Sequence, residues 1–168
     1  LDSYSKMAEK KSKDLEKIKV NLEDQVDERT KKLKDSLDQL KLQSTAMESA
    51  ANGIMICSSD GKIEWVNSAF CKLTEYTFNE AVGQYPSILK SGKHDVNYYK
   101  DLWAHVLTGK VWHEEVINQK KSGTLYHEEQ TITPVFNDQG KVTQFVAIKQ
   151  DITDRKLLEQ KIEDSNLR

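Results

Sequence analysis

The sequence predicts an α+β protein in which a long helix precedes a compact domain of strands and short helices. Residues 1–48 contain neither glycine nor proline and are rich in Lys, Glu, Asp and Leu, a composition typical of one continuous exposed helix. From residue 53 onward, short β-branched runs alternate with glycine-containing turns, which indicates strands joined by tight turns. Residues 154–168 return to a helical pattern, so we expect a second helix to leave the domain.

Composition and charge exclude several classes of protein. Of the 168 residues, 31% are charged and 37% are apolar, which is too polar for one compact globule. The net charge of −2 gives no basic face, so we expect no nucleic-acid partner and no direct membrane contact. Cys57 and Cys71 lack the spacing of a zinc site or a disulfide framework, which favours a reducing cytoplasm. No apolar run reaches the ~20 residues that span a bilayer, and we expect any membrane anchor to lie upstream.

The first helix carries a coiled-coil seam. Its apolar residues recur mostly in steps of three and four, at Leu15, Ile18, Leu22, Val26, Leu33, Leu37, Leu40 and Met47. Between Ile18 and Leu33 the steps are four, four and seven, a stutter that locally unwinds a supercoil. Basic and acidic residues are equal in number over 1–50, so two copies can pair without net repulsion. We expect a parallel homodimer; the alternative is a single helix that packs on its own domain.

The domain begins with two strands and two short helices, the second of which has a capping box. Ile54–Cys57 and Ile63–Val66 flank "SSDG", whose Asp-Gly pair is a strong signal for a tight turn. Thr77 with Glu80 fits a capping box, which opens a short helix. The other predicted elements are helices at 67–73 and 96–107, strands at 111–120, 124–136 and 142–150, and an exit helix from Thr153. The helix at 96–107 is predicted to stop at Gly109.

Four segments together resemble the PAS sensory domain: "DGKIEWVNSAFCKLTEYT", "VGQYPSILKSGKHD", "KKSGTLYHEEQTITPV" and "AIKQDITDRK". The resemblance covers about residues 45–153. It implies a five-stranded antiparallel sheet wrapped by short helices around a small cavity, placed between helices that carry signals to an output module. We therefore divide the chain into a coiled-coil signalling helix at 1–48, a PAS domain at 49–153 and a connector helix at 154–168.

Within that family the segments "SILKSGKHD", "GKVW" and "VINQKKSGTLY" are most similar to the FAD-binding redox sensors. In those proteins a tryptophan on the last helix before the sheet and an asparagine on the third strand lie beside the flavin, and they match Trp103 and Asn118. Light-sensing LOV domains share the asparagine, but their reactive cysteine falls at Pro86, which excludes adduct formation. The chain departs from the flavin-binding pattern at Glu128 and Lys149, where the family has amides.

Strand alternation completes a candidate binding site. If Asn118 faces the cavity, then Trp112, Glu114 and Val116 share its side of the strand. Buried charges need partners, so Glu128 and Lys149 either pair across the sheet or face a polar ligand. Asn118 is likewise either a structural amide or a ligand contact. The candidate cofactor-binding residues are Trp103, Asn118, Glu128, Gln130, Ile132 and Lys149.

The histidines and glutamates do not form a catalytic or metal site. If Trp103 faces the core, His105 is about 200° further around its helix and points to solvent, and His94 lies in a loop, so neither suits haem. His113 is followed by a glutamate, as in a histidine-kinase phosphorylation site, but that site requires a helix. No nucleophile, base and oxyanion donor can be assembled, so we expect this segment not to be an enzyme.

These observations predict a cytoplasmic PAS sensory module of a bacterial signalling protein of the sensor histidine kinase or cyclic-di-nucleotide enzyme type. It would sense a small molecule or redox state through bound FAD and relay the signal through coiled-coil helices to a covalently linked output domain. The alternative is a ligand-free PAS module with a filled core that only dimerises and relays.

Overall fold

The computed structural model describes residues 2–166, which form two compact units that divide between Thr45 and Ala46. Helix α1 runs over Asp2–Glu48; it forms the first unit up to Thr45, and its last three residues belong to the second unit. None of its described side chains is buried, and the seam residues are among the most exposed apolar groups, with Leu15 at 65% and Leu33 at 62%. The long helix predicted from composition is therefore confirmed, and its apolar seam faces solvent in one copy of the chain.

The second unit is built on a five-stranded antiparallel sheet with short helices. The strands lie side by side in the order β2-β1-β5-β4-β3. In chain order the strands are β1 Gly53–Ser58, β2 Ile63–Val66, β3 Trp112–Gln119, β4 Leu125–Phe136 and β5 Val142–Asp151. The helices are α2 Ser68–Thr74, α3 Phe78–Ala81, α4 Val96–Leu107 and α5 Thr153–Asn166, with a 3₁₀ turn at Pro86–Leu89. Sequence patterns did not predict the 3₁₀ turn, but they located every strand to within two residues.

One face of the sheet forms the core with the short helices. Alternate residues of each strand point to this face, which is why β1 buries Met55 and Cys57 while Ile54 and Ile56 are only half-buried on the other face. The apolar core joins strands to helices through Met55, Cys57, Ile63, Val66, Phe70, Ala81, Leu89, Leu102, Val106, Ile132, Phe145 and Ala147. The opposite face keeps apolar side chains in contact with solvent, including Ile148 at 42% exposure.

A buried asparagine ties the end of α1 to the sheet. The Asn67 side-chain oxygen accepts from the backbone N–H groups of Ile54 and Phe70, at 2.8 and 2.9 Å. Its Nδ2 donates to the carbonyl oxygens of Met47 and Asn52, both at 3.0 Å. Asn67 is 0% exposed and is the N-cap of α2. One amide thus holds three segments together, because its side-chain oxygen and nitrogen each make two hydrogen bonds.

The exit helix is fixed to β4 where the sheet ends. The Thr153 backbone N–H donates to Asp151 Oδ1 at 2.9 Å, and the Ile152 N–H donates to the carbonyl of His127 at 2.9 Å. The His127 N–H donates to Thr153 Oγ1 at 3.1 Å. Further along α5, Arg155 contacts Glu115 of β3 at 3.0 Å. A movement of β3 or β4 would therefore be passed to the start of α5 through these contacts.

Candidate cofactor-binding cavity

A cavity of about 250 Å³ lies between the inner face of the sheet, helix α4 and the 3₁₀ turn. The sheet contributes the side chains of Val116, Asn118, Gln130, Ile132, Phe145, Ala147 and Lys149. Helix α4 contributes Tyr98, Tyr99, Leu102, Trp103 and Val106. The wall is therefore mostly apolar and aromatic, with a few polar groups converging from the strands, as in small-molecule sites generally.

Trp103 lies at the edge of this cavity. Asp95 caps the first turn of α4 by accepting from the Tyr98 N–H at 2.9 Å, which starts the helix so that Leu102 and Val106 face the core. Trp103 follows Leu102, remains 36% exposed, and packs edge-on against Phe145 with 5.8 Å between ring centroids. Its indole forms an aromatic wall where the cavity approaches solvent.

The turn between β1 and β2 supports the indole from the outside. Gly61 adopts φ +87°, which strongly favours glycine, and a Cβ there would lie 3.2 Å from the Trp103 ring. The same Cβ would lie 3.9 Å from the ring of Tyr85, so both aromatic side chains pack close to this turn. The Asp-Gly turn recognised in the sequence thus positions Trp103 as well as joining two strands.

Four polar side chains form a buried network, of which three line the cavity wall and one, Glu128, lies behind it. Lys149 Nζ lies 2.7 Å from Glu128 Oε1, with side-chain exposures of 2% and 0%. Asn118 Nδ2 donates to the same carboxylate oxygen at 2.9 Å, and Lys149 Nζ donates to Gln130 Oε1 at 3.3 Å. Gln130 stands directly opposite Lys149 in the β4–β5 ladder, so strand register brings these groups together. The charges of Glu128 and Lys149 therefore neutralise each other within the network.

The predicted site residues fall into two positions. Trp103, Asn118, Gln130, Ile132 and Lys149 line the cavity. Glu128 lies behind it and reaches the wall through its bonds to Asn118 and Lys149. Of the two alternatives for the charged residues, the structure has them paired across the sheet. That these side chains bind a cofactor stays a prediction.

Two orientation predictions were wrong. Glu114 shares the strand face of Asn118 but is exposed, and burial on β3 begins only at Val116. The reason is its position on the edge strand β3: Trp112 before it packs on Tyr98 and Val116 after it is buried, but the charged side chain of Glu114 reaches solvent at the edge of the sheet. His105 is half-buried rather than solvated, because its ring packs on Trp112 with 5.6 Å between centroids. Neither residue lines the cavity.

Two tyrosines of the wall were not predicted from the sequence. Tyr98 and Tyr99 stand one helical turn before Leu102 and Trp103, and this i, i+4 spacing was the signal that could have identified them. The Tyr99 hydroxyl is buried without a hydrogen-bond partner among residues 2–166. Lys90 places its Nζ 3.8 Å from the centre of the Tyr99 ring. The helix side of the cavity therefore offers one unused hydroxyl.

Burial favours the neutral form of several hydroxyl and thiol groups in the cavity wall and the core beside it. It raises the pKa of Tyr98 to about 12. It also raises the pKa of the Cys57 thiol to about 11, although the nearby charge of Lys149 lowers that pKa by a smaller amount. Burial also raises the pKa of the Tyr126 hydroxyl above its usual range, and the charge of Glu128 adds to this. A thiol held in this state is a poor nucleophile, as expected for a core cysteine.

His94 has a structural contact outside the cavity. Its Nε2 accepts from the Ile117 backbone N–H at 2.9 Å, and its ring stacks on Tyr98 at 4.4 Å. Ser91 Oγ donates to the Ile117 carbonyl at 2.5 Å, so the loop before α4 is attached to the edge of β3. Within the described part of the chain, no three His, Cys, Asp or Glu side chains gather as a metal site would require.

Comparison with known proteins identifies the family. The sequence profile described as "PAS domain" matches residues 51–154, which is more than half of the chain. This chain belongs to the PAS domain family. The solved structure of an RNA-binding Light-Oxygen-Voltage receptor superimposes with a TM-score of 0.69 at 22% identity, covering 76% of this chain and 37% of that one, which supports the same fold.

Two curated relatives align with part of this chain. The nitrogen fixation regulatory protein of Klebsiella oxytoca is 32% identical over 118 residues, which are 70% of this chain and 24% of the relative. The blue-light-activated histidine kinase of Brucella canis is 31% identical over 94 residues, which are 56% of this chain and 19% of that kinase. The chain thus spans about a quarter or less of the length of these relatives.

The PAS assignment fixes the general role of the chain. It is a sensory domain that acts in signal transduction, and the domain itself is not catalytic. The expected fold, a PAS sheet and helices preceded by one long helix and followed by another, is confirmed. No helix within residues 2–166 is long and apolar enough to cross a membrane.

Proposed function

We propose that this PAS domain senses redox state through noncovalently bound FAD, and the observation that carries the proposal is the cavity beside Trp103 and Asn118. Its volume of about 250 Å³ is just below the usual range of ligand sites, roughly 300–1,000 Å³. A space of this size suits one fused ring system rather than a whole dinucleotide. The remainder of the cofactor would leave past Trp103, where the wall approaches solvent.

The residues present fit a flavin ring. Trp103 and Phe145 supply aromatic surface, while Asn118 and Gln130 bring amide groups to the wall from two adjacent strands. The buried Tyr99 hydroxyl, which lacks a partner among the described residues, is available to a polar edge of a ligand. A bound flavin would supply a group whose charge and hydrogen bonding change on reduction. Ile132 would pack against the ring, and the chain would hold that ring and exclude water.

The charged residues are compatible with a neutral ring. Glu128 and Lys149 neutralise each other at 2.7 Å, so neither presents an unpaired charge to the cavity. Through Asn118 and Gln130 they would respond to a change in charge on the ligand. Pro86 lines the cavity and has no sulfur, so the proposal is a redox response rather than a light-driven adduct.

The ligand-free alternative required a filled core. The pairing of Glu128 with Lys149 agrees with that alternative, since it needs no ligand to satisfy either charge. The cavity favours a ligand, because folded cores close most voids of this size. We therefore keep the relay as the second candidate.

We further propose that residues 1–48 form the signalling coiled coil of a homodimer, that 49–153 sense the ligand and that 154–168 connect to a covalently linked output domain. The curated relatives are a regulatory protein and a histidine kinase several times longer than the matched region, which supports a linked output module of the two-component type. An output module of the cyclic-di-nucleotide type stays a prediction from the sequence. The free thiols Cys57 and Cys71 support a cytoplasmic location.

Purification with added FAD tests the cofactor. We expect flavin absorbance to survive gel filtration of the wild-type protein and Asn118→Ala to lower the retained fraction by about tenfold, as expected for losing one buried hydrogen bond. Asn97→Ala, an exposed position on α4, is the matched control and should retain flavin fully. Wild-type protein that stays colourless after refolding with excess FAD, with no other ligand in its mass spectrum, would favour the ligand-free relay.

A further inference from the structure

The buried network contains two amides whose orientation is dictated by charged neighbours. Asn118 and Gln130 are 6% and 9% exposed, and each contacts one member of the Glu128–Lys149 pair. A carboxylate only accepts hydrogen bonds, and an ammonium only donates them. The NH₂ of Asn118 must therefore face Glu128, and the carbonyl of Gln130 must face Lys149. The opposite orientations would place like partial charges against a buried ion.

The other half of each amide remains for the cavity. Asn118 Oδ1 and Gln130 Nε2 make no hydrogen bond within residues 2–166, and both residues line the cavity wall. β3 thus contributes an acceptor and β4 contributes a donor. One ion pair links the two amides. Asn118 lies 2.9 Å from Glu128, Glu128 lies 2.7 Å from Lys149, and Lys149 lies 3.3 Å from Gln130.

We propose that Glu128 and Lys149 are positioning residues that fix the polarity of the Asn118 and Gln130 amides, so that the wall accepts a planar heterocycle with an N–H beside a carbonyl. The N–H would donate to Asn118 Oδ1, and the carbonyl would accept from Gln130 Nε2. This deepens the proposed function and rests on it for the ligand, since the flavin ring carries such an edge. The two charges act through the amides and need not touch the ligand.

Exchanging the two charges should reverse which hydrogen-bonding group each amide presents to the cavity. In the double variant Glu128→Lys with Lys149→Glu, the ion pair is kept, but the Asn118 carbonyl must now face the ammonium and the Gln130 NH₂ must face the carboxylate. The cavity would then receive a donor from β3 and an acceptor from β4. The exposed pair Glu28 and Lys32, 2.6 Å apart in α1, gives a matched control when it is exchanged in the same way.

The first measurement needs no ligand. Side-chain ¹⁵N–¹H spectra of the free protein report hydrogen exchange of the Asn118 and Gln130 NH₂ groups. We expect the Asn118 group to be protected and the Gln130 group to exchange faster in the wild type and in the α1 control. In the charge-exchanged variant this order should reverse. An unchanged order in that variant, or protection of Gln130 alone in the wild type, overturns the positioning role.

The second measurement compares riboflavin with 3-methylriboflavin, which lacks the ring N–H. The wild type should bind the methylated ring at least about tenfold more weakly, because an acceptor is left unpaired in a buried wall. In the charge-exchanged variant this difference should fall below about twofold. Equal binding of both rings by the wild type overturns the proposed edge recognition. Binding of neither ring, with the expected exchange order intact, rejects the flavin and its edge but retains the positioning role.

If the charge-exchanged variant does not fold, a second variant tests the same proposal. Glu128→Gln with Lys149→Met removes both charges and leaves the two amides free to turn. We expect the protection difference between Asn118 and Gln130 to disappear, and the preference for the ring N–H to drop with it. Retention of the wild-type exchange order in this neutral variant would show that the charges do not set the amide polarity.

Discussion

The Glu128–Lys149 pair places two opposite charges in the core at 0% and 2% exposure. Removing two ions from water is costly, and their mutual attraction offsets this only with good geometry and further hydrogen bonds. Asn118 and Gln130 supply those bonds at 2.9 and 3.3 Å. One carboxylate oxygen of Glu128 still lacks a partner within residues 2–166, so the network has little tolerance for losing a member.

Breaking the pair should therefore cost more than removing it. We expect Lys149→Met to lower the free energy of unfolding by about 3–5 kcal/mol, because an unpaired carboxylate is left in the core. Adding Glu128→Gln should recover about 1–3 kcal/mol of that loss. Urea denaturation measures both values. The control Lys156→Met breaks a surface pair with Glu115 and should cost less than about 1 kcal/mol. Additive losses in the double variant would contradict a coupled pair.

At the residue scale, the sequence could identify which side chains turn inward but not what they contact. Period-two alternation placed Glu128, Gln130 and Ile132 on one face because β4 is central and paired on both sides. Alternation contains no distances, so it left open whether Lys149 meets Glu128 or a ligand. It also failed at Glu114, whose charged side chain reaches solvent from the edge strand β3 although Trp112 and Val116 on the same face are packed.

At the scale of elements, the short helix α3 is linked to the turn between β3 and β4. Thr77 and Glu80 form the predicted capping box, in which the Thr77 side chain accepts from the Glu80 N–H and the Glu80 side chain accepts from the Thr77 N–H. Lys121 of the turn contacts the same carboxylate at 2.5 Å. One exposed glutamate thus contacts a helix terminus and a neighbouring loop, and both contacts favour its ionised form.

The contacts of Glu80 with Lys121 and Thr77 should give the domain a pH-dependent stability. The hydrogen bond from Lys121, then those from Thr77, lower the pKa of Glu80 from 4.5 to about 2. Because the folded pKa is depressed, the stabilisation is fully present above about pH 4.5 and is lost as pH falls towards 2. We expect Glu80→Gln and Lys121→Met each to show a smaller fall in Tm between pH 5 and pH 2.5 than the wild type. Thermal melts at matched ionic strength test this, and three parallel curves would contradict it.

Element types were predictable where the local signals are strong. The Asp-Gly turn, the capping box and the helix stop at Gly109 each specify a backbone geometry by local chemistry, and all three are present. The 3₁₀ turn Pro86–Leu89 was missed because its four residues are too few to show a period. Its place in the cavity wall depends on tertiary packing.

At the scale of the whole domain, the cavity is connected to the exit helix by short steps. Glu128 faces Asp151 across the β4–β5 ladder, and Asp151 Oδ1 accepts from the first N–H of α5, that of Thr153. Lys149 is two residues before Asp151 on the same strand. A shift of the buried pair on ligand binding would therefore reach the start of α5 through one strand pair, which fits a sensor whose output lies beyond that helix.

At the scale of the whole molecule, the exposed apolar seam of α1 predicts association with a second copy of the chain. Leu33 and Leu37 are 62% and 56% exposed, and residues spaced in this way are covered in coiled coils by a second helix. We expect Leu33→Glu with Leu37→Glu to convert dimers into monomers in sedimentation equilibrium, because four like charges would meet at one seam. Leu42→Glu, which alters an apolar residue off the seam and 70% exposed, is the control and should stay dimeric. Dimers that persist in the double variant would place the association on the open sheet face around Ile148.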